Sequence, residues 1–107
     1  MLRSMFGRLV GVLYIDTPRW PAHGRFWAHL ISDVSVAELH AFAELLGAPR
    51  RGFERDHYDV PAGMAQRAVW LGARRVTSKE IVARLKAAGL RRPRHLSDSR
   101  GASRTVK

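Results

Sequence analysis

A chain of 107 residues with no cysteine has room for one domain and excludes disulfides, thiol catalysis and cysteine-rich zinc sites. Its longest apolar run, residues 12–15, is far too short for a membrane span, and its first residues lack a signal-peptide pattern, so we expect a cytoplasmic protein that does not contact membranes. The formal net charge of +10 is unevenly placed, because residues 12–73 carry six basic and seven acidic side chains, whereas residues 74–107 carry eleven and two.

The first third of the chain predicts two strands separated by a loop. Residues 12–15 are apolar and partly β-branched, as in a buried strand, and Asp16 follows them directly. The prolines within residues 17–24 favour an irregular loop. Residues 26–32 fit either a strand or a short helix, and we favour a strand because a well-marked helix begins just after them.

Three helices are predicted from apolar periodicity and from their end signals. Capping boxes, in which Ser or Thr is followed three residues later by Glu, mark helix starts at Ser35 and Thr77, and a glycine ends each apolar pattern. The three helical segments are residues 35–47, 61–72 and 77–89. A short strand is predicted at residues 74–77, and residues 52–58 are interpreted as a loop with at most a brief strand at Phe53.

Helices that alternate with short strands predict a small α/β domain with a mostly parallel sheet of three to four strands and about three helices. We assign this single domain to residues 12–93. Residues 1–11 are interpreted as a leader outside the fold, and residues 94–107, which are basic and nearly devoid of apolar side chains, as a disordered tail. Open parallel sheets bind ligands at the carboxyl ends of their strands, so we expect a site at that edge.

The stretch of residues 50–61 concentrates titratable side chains more than any other part of the chain. If this stretch is extended, His57 and Asp59 face the same side, where they could bind a metal ion or let the carboxylate orient the imidazole for proton transfer. The alternative is that Asp59 caps the helix that follows and His57 bonds to the backbone of a loop.

Further candidate ligands lie outside that stretch. His29 and Asp33 are four residues apart, and a metal site needs three or four convergent ligands, so we take His29, His57 and Asp59 as candidate ligands of a divalent metal ion. The alternatives are a hydrogen-bonded core position for His29 and a solvated helix face for His40. The full set of candidate ligand-binding residues, with two arginines for an anion such as phosphate, is Asp16, Arg19, His29, Asp33, Arg55, His57 and Asp59.

The basic end of the chain supports a second hypothesis, a non-enzymatic module that binds nucleic acid or protein. Arginine and lysine neutralise phosphates without sequence preference, although the tail has no interleaved aromatic side chains to stack on bases. The candidate residues for such binding are Arg84, Lys86, Arg91, Arg92 and Arg94.

Six separated segments, in the same order, resemble one known family. They are YID at residues 14–16, WAHLISD at 27–33, ELHAFA at 38–43, HYDV at 57–60, LGA at 71–73 and SKE at 78–80. On these segments the chain resembles the bacterial and phage family known as domain of unknown function 4031, over residues 12–93. The resemblance implies no activity, since the family has none assigned. Some relatives are joined to phosphohydrolase-type domains, which implies at most a role in nucleotide or phosphate chemistry. The leading hypothesis is therefore a module that binds a phosphate-bearing ligand or a metal.

Overall fold

A computed structural model describes residues 12–92, and within this range the chain forms six strands and three helices. The strands are β1 (Leu13–Ile15), β2 (Trp20–Ala22), β3 (Arg25–Ser32), β4 (Phe53–Glu54), β5 (His57–Pro61) and β6 (Arg74–Arg75). The helices are α1 (Val36–Leu46), α2 (Ala62–Trp70) and α3 (Ser78–Ala87), and a 3₁₀ turn spans Arg50–Gly52. The predicted leader at residues 1–11 and the predicted tail at residues 94–107 lie outside the described residues. Within residues 12–92, no helix has the length and apolar character to cross a membrane.

The six strands form one mixed sheet in the order β4-β5-β3-β1-β6, with β2 paired to the first half of β3. Strand β3 is antiparallel to β1, β2 and β5, and β1 with β6 is the parallel pair among the described strands. The prediction of a mostly parallel sheet with three to four strands is therefore wrong. Strands β5 and β6, which are joined through α2, do run in the same direction. They are not neighbours in the sheet, because β3, which is antiparallel to both, and β1 lie between them.

Two hairpins explain why the strand count was underestimated. His23 and Gly24 both have positive φ, at 52° and 74°, and form the two-residue turn between β2 and β3 within the predicted loop of residues 17–24. Arg55, with φ of 58°, begins the turn between β4 and β5. The predicted brief strand at Phe53 is confirmed as β4, but the interpretation of residues 52–58 as otherwise a loop is wrong, because His57 and Tyr58 begin β5. A turn centred on a non-glycine residue with positive φ gives little signal in a sequence.

Two of the three predicted helix starts form the side-chain caps that their sequences predict. Ser35 accepts a hydrogen bond from the backbone N–H of Glu38 at 3.0 Å, and Thr77 accepts one from Glu80 at 3.1 Å, so both capping boxes begin helices. Helix α2 instead follows Pro61 without a side-chain cap, so the alternative that Asp59 caps this helix is wrong. Residues 26–32 lie within β3, which confirms the prediction of a strand.

Alternation along the strands separates two cores. Leu30 of β3 and Tyr58 and Val60 of β5 pack on the face that helices α1 and α2 cover. On the opposite face, Tyr14 and Ile31 pack against Ile81 and Leu85, two buried residues of helix α3. Helix α3 covers only part of that face, and the polar side chains of β3 and β5 lie on the remainder.

Candidate metal centre

Two histidines and one aspartate converge on the face of the sheet that α3 covers in part. His29 of β3 and Asp59 of β5 are cross-strand partners, and His57 lies two residues from Asp59, so all three side chains face the same side. The Nε2 atoms of His57 and His29 lie 3.2 and 3.9 Å from Oδ1 of Asp59, and one ligand atom from each residue lies within 4.8 Å of the others. These are the three residues that the sequence proposed as metal ligands.

Asp16 orients the imidazole of His29 through Nδ1, the ring nitrogen that is not directed at Asp59. Its Oδ2 lies 2.8 Å from Nδ1 of His29 and accepts the Ser78 hydroxyl at 2.7 Å, while its Oδ1 accepts the backbone N–H of His29 at 2.6 Å. The residue is fully buried. Burial alone would raise the pKa of Asp16, but the hydrogen bonds from His29 and Ser78 outweigh it and lower the pKa below the ordinary value. Asp16 is therefore a carboxylate, and a proton on Nδ1 of His29 must lie between them.

The indole of Trp20 competes for the same ring nitrogen. Its Nε1 lies 3.1 Å from Nδ1 of His29, but an Nδ1 that donates to Asp16 has no lone pair left to accept this N–H. The contact with the buried carboxylate is shorter and charge-assisted, so it determines the tautomer. Trp20 is exposed and packs its ring against His29 with centroids 5.4 Å apart.

Asp56 holds His57 in the same manner. It is 2% exposed, its Oδ1 lies 2.8 Å from Nδ1 of His57, and its Oδ2 accepts the backbone N–H of Arg92 at 2.8 Å. Burial would raise the pKa of Asp56, but its bonds to His57 and Arg92 lower it overall. Burial would likewise lower the pKa of His57, yet the hydrogen bonds to Asp56 and Asp59 raise it to about 9. The metal-free imidazole is therefore protonated near neutral pH.

Both imidazoles thus direct Nδ1 to a buried aspartate and Nε2 to Asp59. Ligands bound to one ion at roughly 2.1 Å in tetrahedral geometry lie about 3.4 Å apart. The distances of 3.2 and 3.9 Å from Asp59 to the two Nε2 atoms bracket that value. A metal ion would replace the proton on Nε2 of His57, and the three ligand atoms, which lie within 4.8 Å of one another, would draw together around it.

A cleft of about 720 Å³ opens beside His29 and Asp59. Strand alternation places Trp27 next to His29 and Pro61 next to Asp59 on the same face, because each lies two residues away along its own strand. Arg25 and Arg51 also line the cleft, and both are exposed. The candidate metal position is therefore open to solvent on one side.

The other predicted site residues lie elsewhere. Asp33 accepts the backbone N–H of Val12 at 2.9 Å and lies at the opposite end of β1 from Asp16, because β3 runs antiparallel to β1. Arg19 lines a separate surface depression at the start of α3, and Arg55 pairs with Glu54 at 3.1 Å. The expectation of one site at a common carboxyl edge of parallel strands is wrong, since the cluster lies on a face of the sheet.

His40 differs from the expected solvated position. Its Nδ1 lies 2.7 Å from the hydroxyl of Tyr58, and the ring is half-buried on the face opposite the His/Asp cluster. Desolvation, with a smaller contribution from the charge of Arg50, lowers the pKa of His40 below its ordinary value.

Sequence reasoning did not single out Asp56, Ser78, Trp20 or Trp27. Asp56 lies inside the titratable stretch of residues 50–61 and directly precedes His57, so its proximity was visible in the sequence. Its role depends on a left-handed Arg55, which turns the chain so that Asp56 points inward. Ser78 reaches Asp16 across 62 residues of sequence, and no local pattern indicates such a contact.

The basic residues of the second hypothesis are partly engaged within the fold. Arg84 pairs with Glu80 at 2.8 Å, bonds to the Tyr14 hydroxyl at 2.8 Å and stacks over the Tyr14 ring. Arg91 lies 3.6 Å from Asp56. Lys86 and Arg92 are exposed, and Arg94 lies outside the described residues. Binding of nucleic acid through this end stays a prediction.

The fold and the cluster together define a small α/β protein with a mixed sheet and a paired His/Asp centre. The chain belongs to the family described as protein of unknown function (DUF4031), whose model matches residues 13–88 and includes every residue of the cluster. The resemblance noted in the sequence is thereby confirmed. No curated protein and no solved structure gives a significant match to the chain.

Proposed function

We propose that this protein binds a divalent first-row transition metal ion through Nε2 of His29, Nε2 of His57 and a carboxylate oxygen of Asp59. The observation that carries the proposal is the pair of buried aspartates, each of which holds the Nδ1 of one histidine so that its Nε2 is directed at Asp59. Histidines that bind metals almost always donate their other ring N–H to such a partner.

A hydrogen-bonded structural network would not need this arrangement twice. A buried carboxylate costs free energy unless it is paired, and this small domain buries two of them beside adjacent imidazoles. Two imidazoles and a carboxylate suit zinc, iron or nickel rather than calcium or magnesium, which prefer oxygen ligands alone. The paired orientation therefore favours a transition-metal site.

The number of ligands favours a site that acts on a bound molecule. Structural zinc sites are closed by four protein ligands, whereas sites with three protein ligands keep a position open for water or substrate. The open position would face the cleft, where Arg25 and Arg51 favour an anionic ligand, such as one that bears phosphate. We therefore infer a metal-dependent module for an anionic ligand.

The test uses the full chain, freed of any affinity tag and stripped of metal with a chelator. We expect one zinc ion to bind per chain in competition with a chromophoric chelator. His57→Ala and Asp59→Ala should each weaken zinc binding by at least tenfold while the circular dichroism spectrum is retained. His23→Asn is the matched control, because His23 is exposed in the β2–β3 turn, where asparagine tolerates positive φ.

Two results would contradict the proposal. The first is a wild-type chain that does not compete with the chelator for zinc. The second is a pair of variants, His57→Ala and Asp59→Ala, that lose thermal stability but bind zinc as tightly as the control does. The second result would assign the cluster to a hydrogen-bonded structural network.

A further inference from the structure

The cleft beside the metal cluster has an aromatic wall. Trp27 lies two residues before His29 on β3, so its indole is on the same face at a spacing of roughly 6.8 Å along the strand. Its Nε1–H donates to the carbonyl of Ala22 across the hairpin at 2.8 Å. Because this bond satisfies the single polar atom of the ring, the part of Trp27 that lines the cleft is apolar, and a flat ring could stack on it.

Trp20 extends this wall from the neighbouring strand. It is the cross-strand partner of Trp27, which places both indoles on one face of the sheet. Its ring packs against His29, and it remains 45% exposed. The two indoles therefore line the approach to the metal cluster, where a flat ring can stack.

The charges of the cleft favour an anion. Of the acidic residues that line it, Glu54 is paired with Arg55 and Asp59 contacts His57. Arg25 and Arg51 line the same cleft and are both exposed, so their guanidinium groups are available to a ligand. Arginine is the side chain best suited to bind a phosphate group through two parallel hydrogen bonds.

We propose that the cleft binds a nucleoside phosphate, with the base stacked on Trp27, the phosphate at the metal ion, and the exposed Arg25 and Arg51 of the cleft attracting the anion. This inference rests on the metal site proposed above. A phosphate ion alone would leave the tryptophans unused, and an apolar ring alone would leave the metal and the arginines unused. A nucleotide joins both chemistries through a sugar, and it can be a free mononucleotide or the terminal nucleotide of a strand.

The experiment uses the zinc-loaded full chain with Trp70→Leu as the reference background. Trp70 is 84% exposed at the end of α2, and its removal leaves Trp20 and Trp27 as the remaining tryptophans of a chain with three. The probes are AMP, adenosine, inorganic phosphate and an oligonucleotide with a 5′-phosphate. We expect AMP to quench tryptophan fluorescence and to bind at least tenfold more tightly than adenosine or phosphate.

Two substitutions separate the contributions of the base and the phosphate. Because stacking is lost, Trp27→Leu should weaken AMP binding by about 5- to 150-fold in calorimetry, while the affinities for zinc and inorganic phosphate are retained. Arg51→Ala, at an exposed position, should weaken AMP and phosphate but not adenosine. Arg74→Ala, an exposed arginine of β6 outside the cleft, is the matched control and should change none of them.

The outcomes distinguish this inference from the metal proposal. If zinc binds but AMP binds no more tightly than phosphate, or if Trp27→Leu and Arg51→Ala leave AMP binding unchanged, the nucleotide inference is overturned and the metal site stands. If the chain does not bind zinc, both fail. A 5′-phosphorylated oligonucleotide that binds more tightly than AMP would identify a strand terminus as the ligand, whereas equal or weaker binding would identify the free mononucleotide.

Discussion

Replacing Asp56 by asparagine tests whether this buried carboxylate sets the chemistry of His57. The substitution preserves shape but gives the position one acceptor and one donor in place of two acceptors. If the amide oxygen faces the Arg92 N–H, the amide NH₂ faces Nδ1 of His57 and favours the tautomer that carries its proton on Nε2. If the oxygen faces His57 instead, the NH₂ group opposes the N–H of Arg92.

Both arrangements carry a cost. Loss of a partner that orients a ligand typically lowers metal affinity by about 10- to 100-fold, which corresponds to about 1.4 to 2.8 kcal/mol. Loss of a charge-assisted bond to a buried carboxylate costs about 1.5 to 3 kcal/mol of the free energy of unfolding. We therefore expect Asp56→Asn to show both weaker zinc binding and a lower urea midpoint, whereas Asp59→Ala should lose zinc binding almost entirely.

Glu54→Gln is the control for Asp56→Asn, because Glu54 is an exposed acid of the same hairpin whose partner, Arg55, lies beside it. The affinity for zinc, from chelator competition, and the stability, from urea denaturation, are measured on the same preparations. If Asp56→Asn binds zinc within twofold of the wild type while Asp59→Ala does not bind it, the reasoning that the tautomer of His57 depends on Asp56 is refuted.

Three further predictions follow from the structure. In the metal-free protein, the raised pKa of His57 contributes stability that is fully present below pH 6.5 and is lost as the pH rises to about 9. The free energy of unfolding should fall by about 3 kcal/mol over that range, and His57→Asn should flatten the dependence. Leu85→Ala opens a cavity under α3 and should cost about 2 to 5 kcal/mol in urea denaturation. Asp33→Asn should leave zinc affinity unchanged, since Asp33 contacts Val12 at the far end of β1, and a loss of affinity would extend the site.

The parts of the fold that the sequence predicted are those that local chemistry determines. The capping boxes at Ser35 and Thr77 and the left-handed Gly47 depend on residues within one helical turn, so the boundaries of α1 and α3 could be inferred. The direction of β3 could not, because it depends on the turn at His23 and Gly24. With that direction wrong, Asp33 was grouped with Asp16, from which the whole length of β1 separates it.

The candidate site, too, was predictable only where neighbouring residues in the sequence determine its geometry. That His57 and Asp59 share a face follows from strand alternation alone. That His29 lies opposite Asp59 depends on the register between β3 and β5, which no local pattern specifies. The two orienting aspartates are harder still to predict. Asp16 meets His29 across the β1–β3 strand pair, and Asp56 meets His57 around the left-handed turn at Arg55.

Strand β5 places the His/Asp cluster and the core on alternate residues of one five-residue segment. His57 and Asp59 point to one face, while Tyr58 and Val60 are buried in the core on the other. Inserting or deleting a single residue inside β5, between Tyr58 and Asp59, would put the two halves of the strand out of phase, so that Asp59 turns into the core and Val60 toward the cleft, or His57 and Tyr58 exchange faces in the same way. Such a change in the length of β5 cannot abolish the cluster while sparing the fold. Variants that still fold should therefore keep the length of β5.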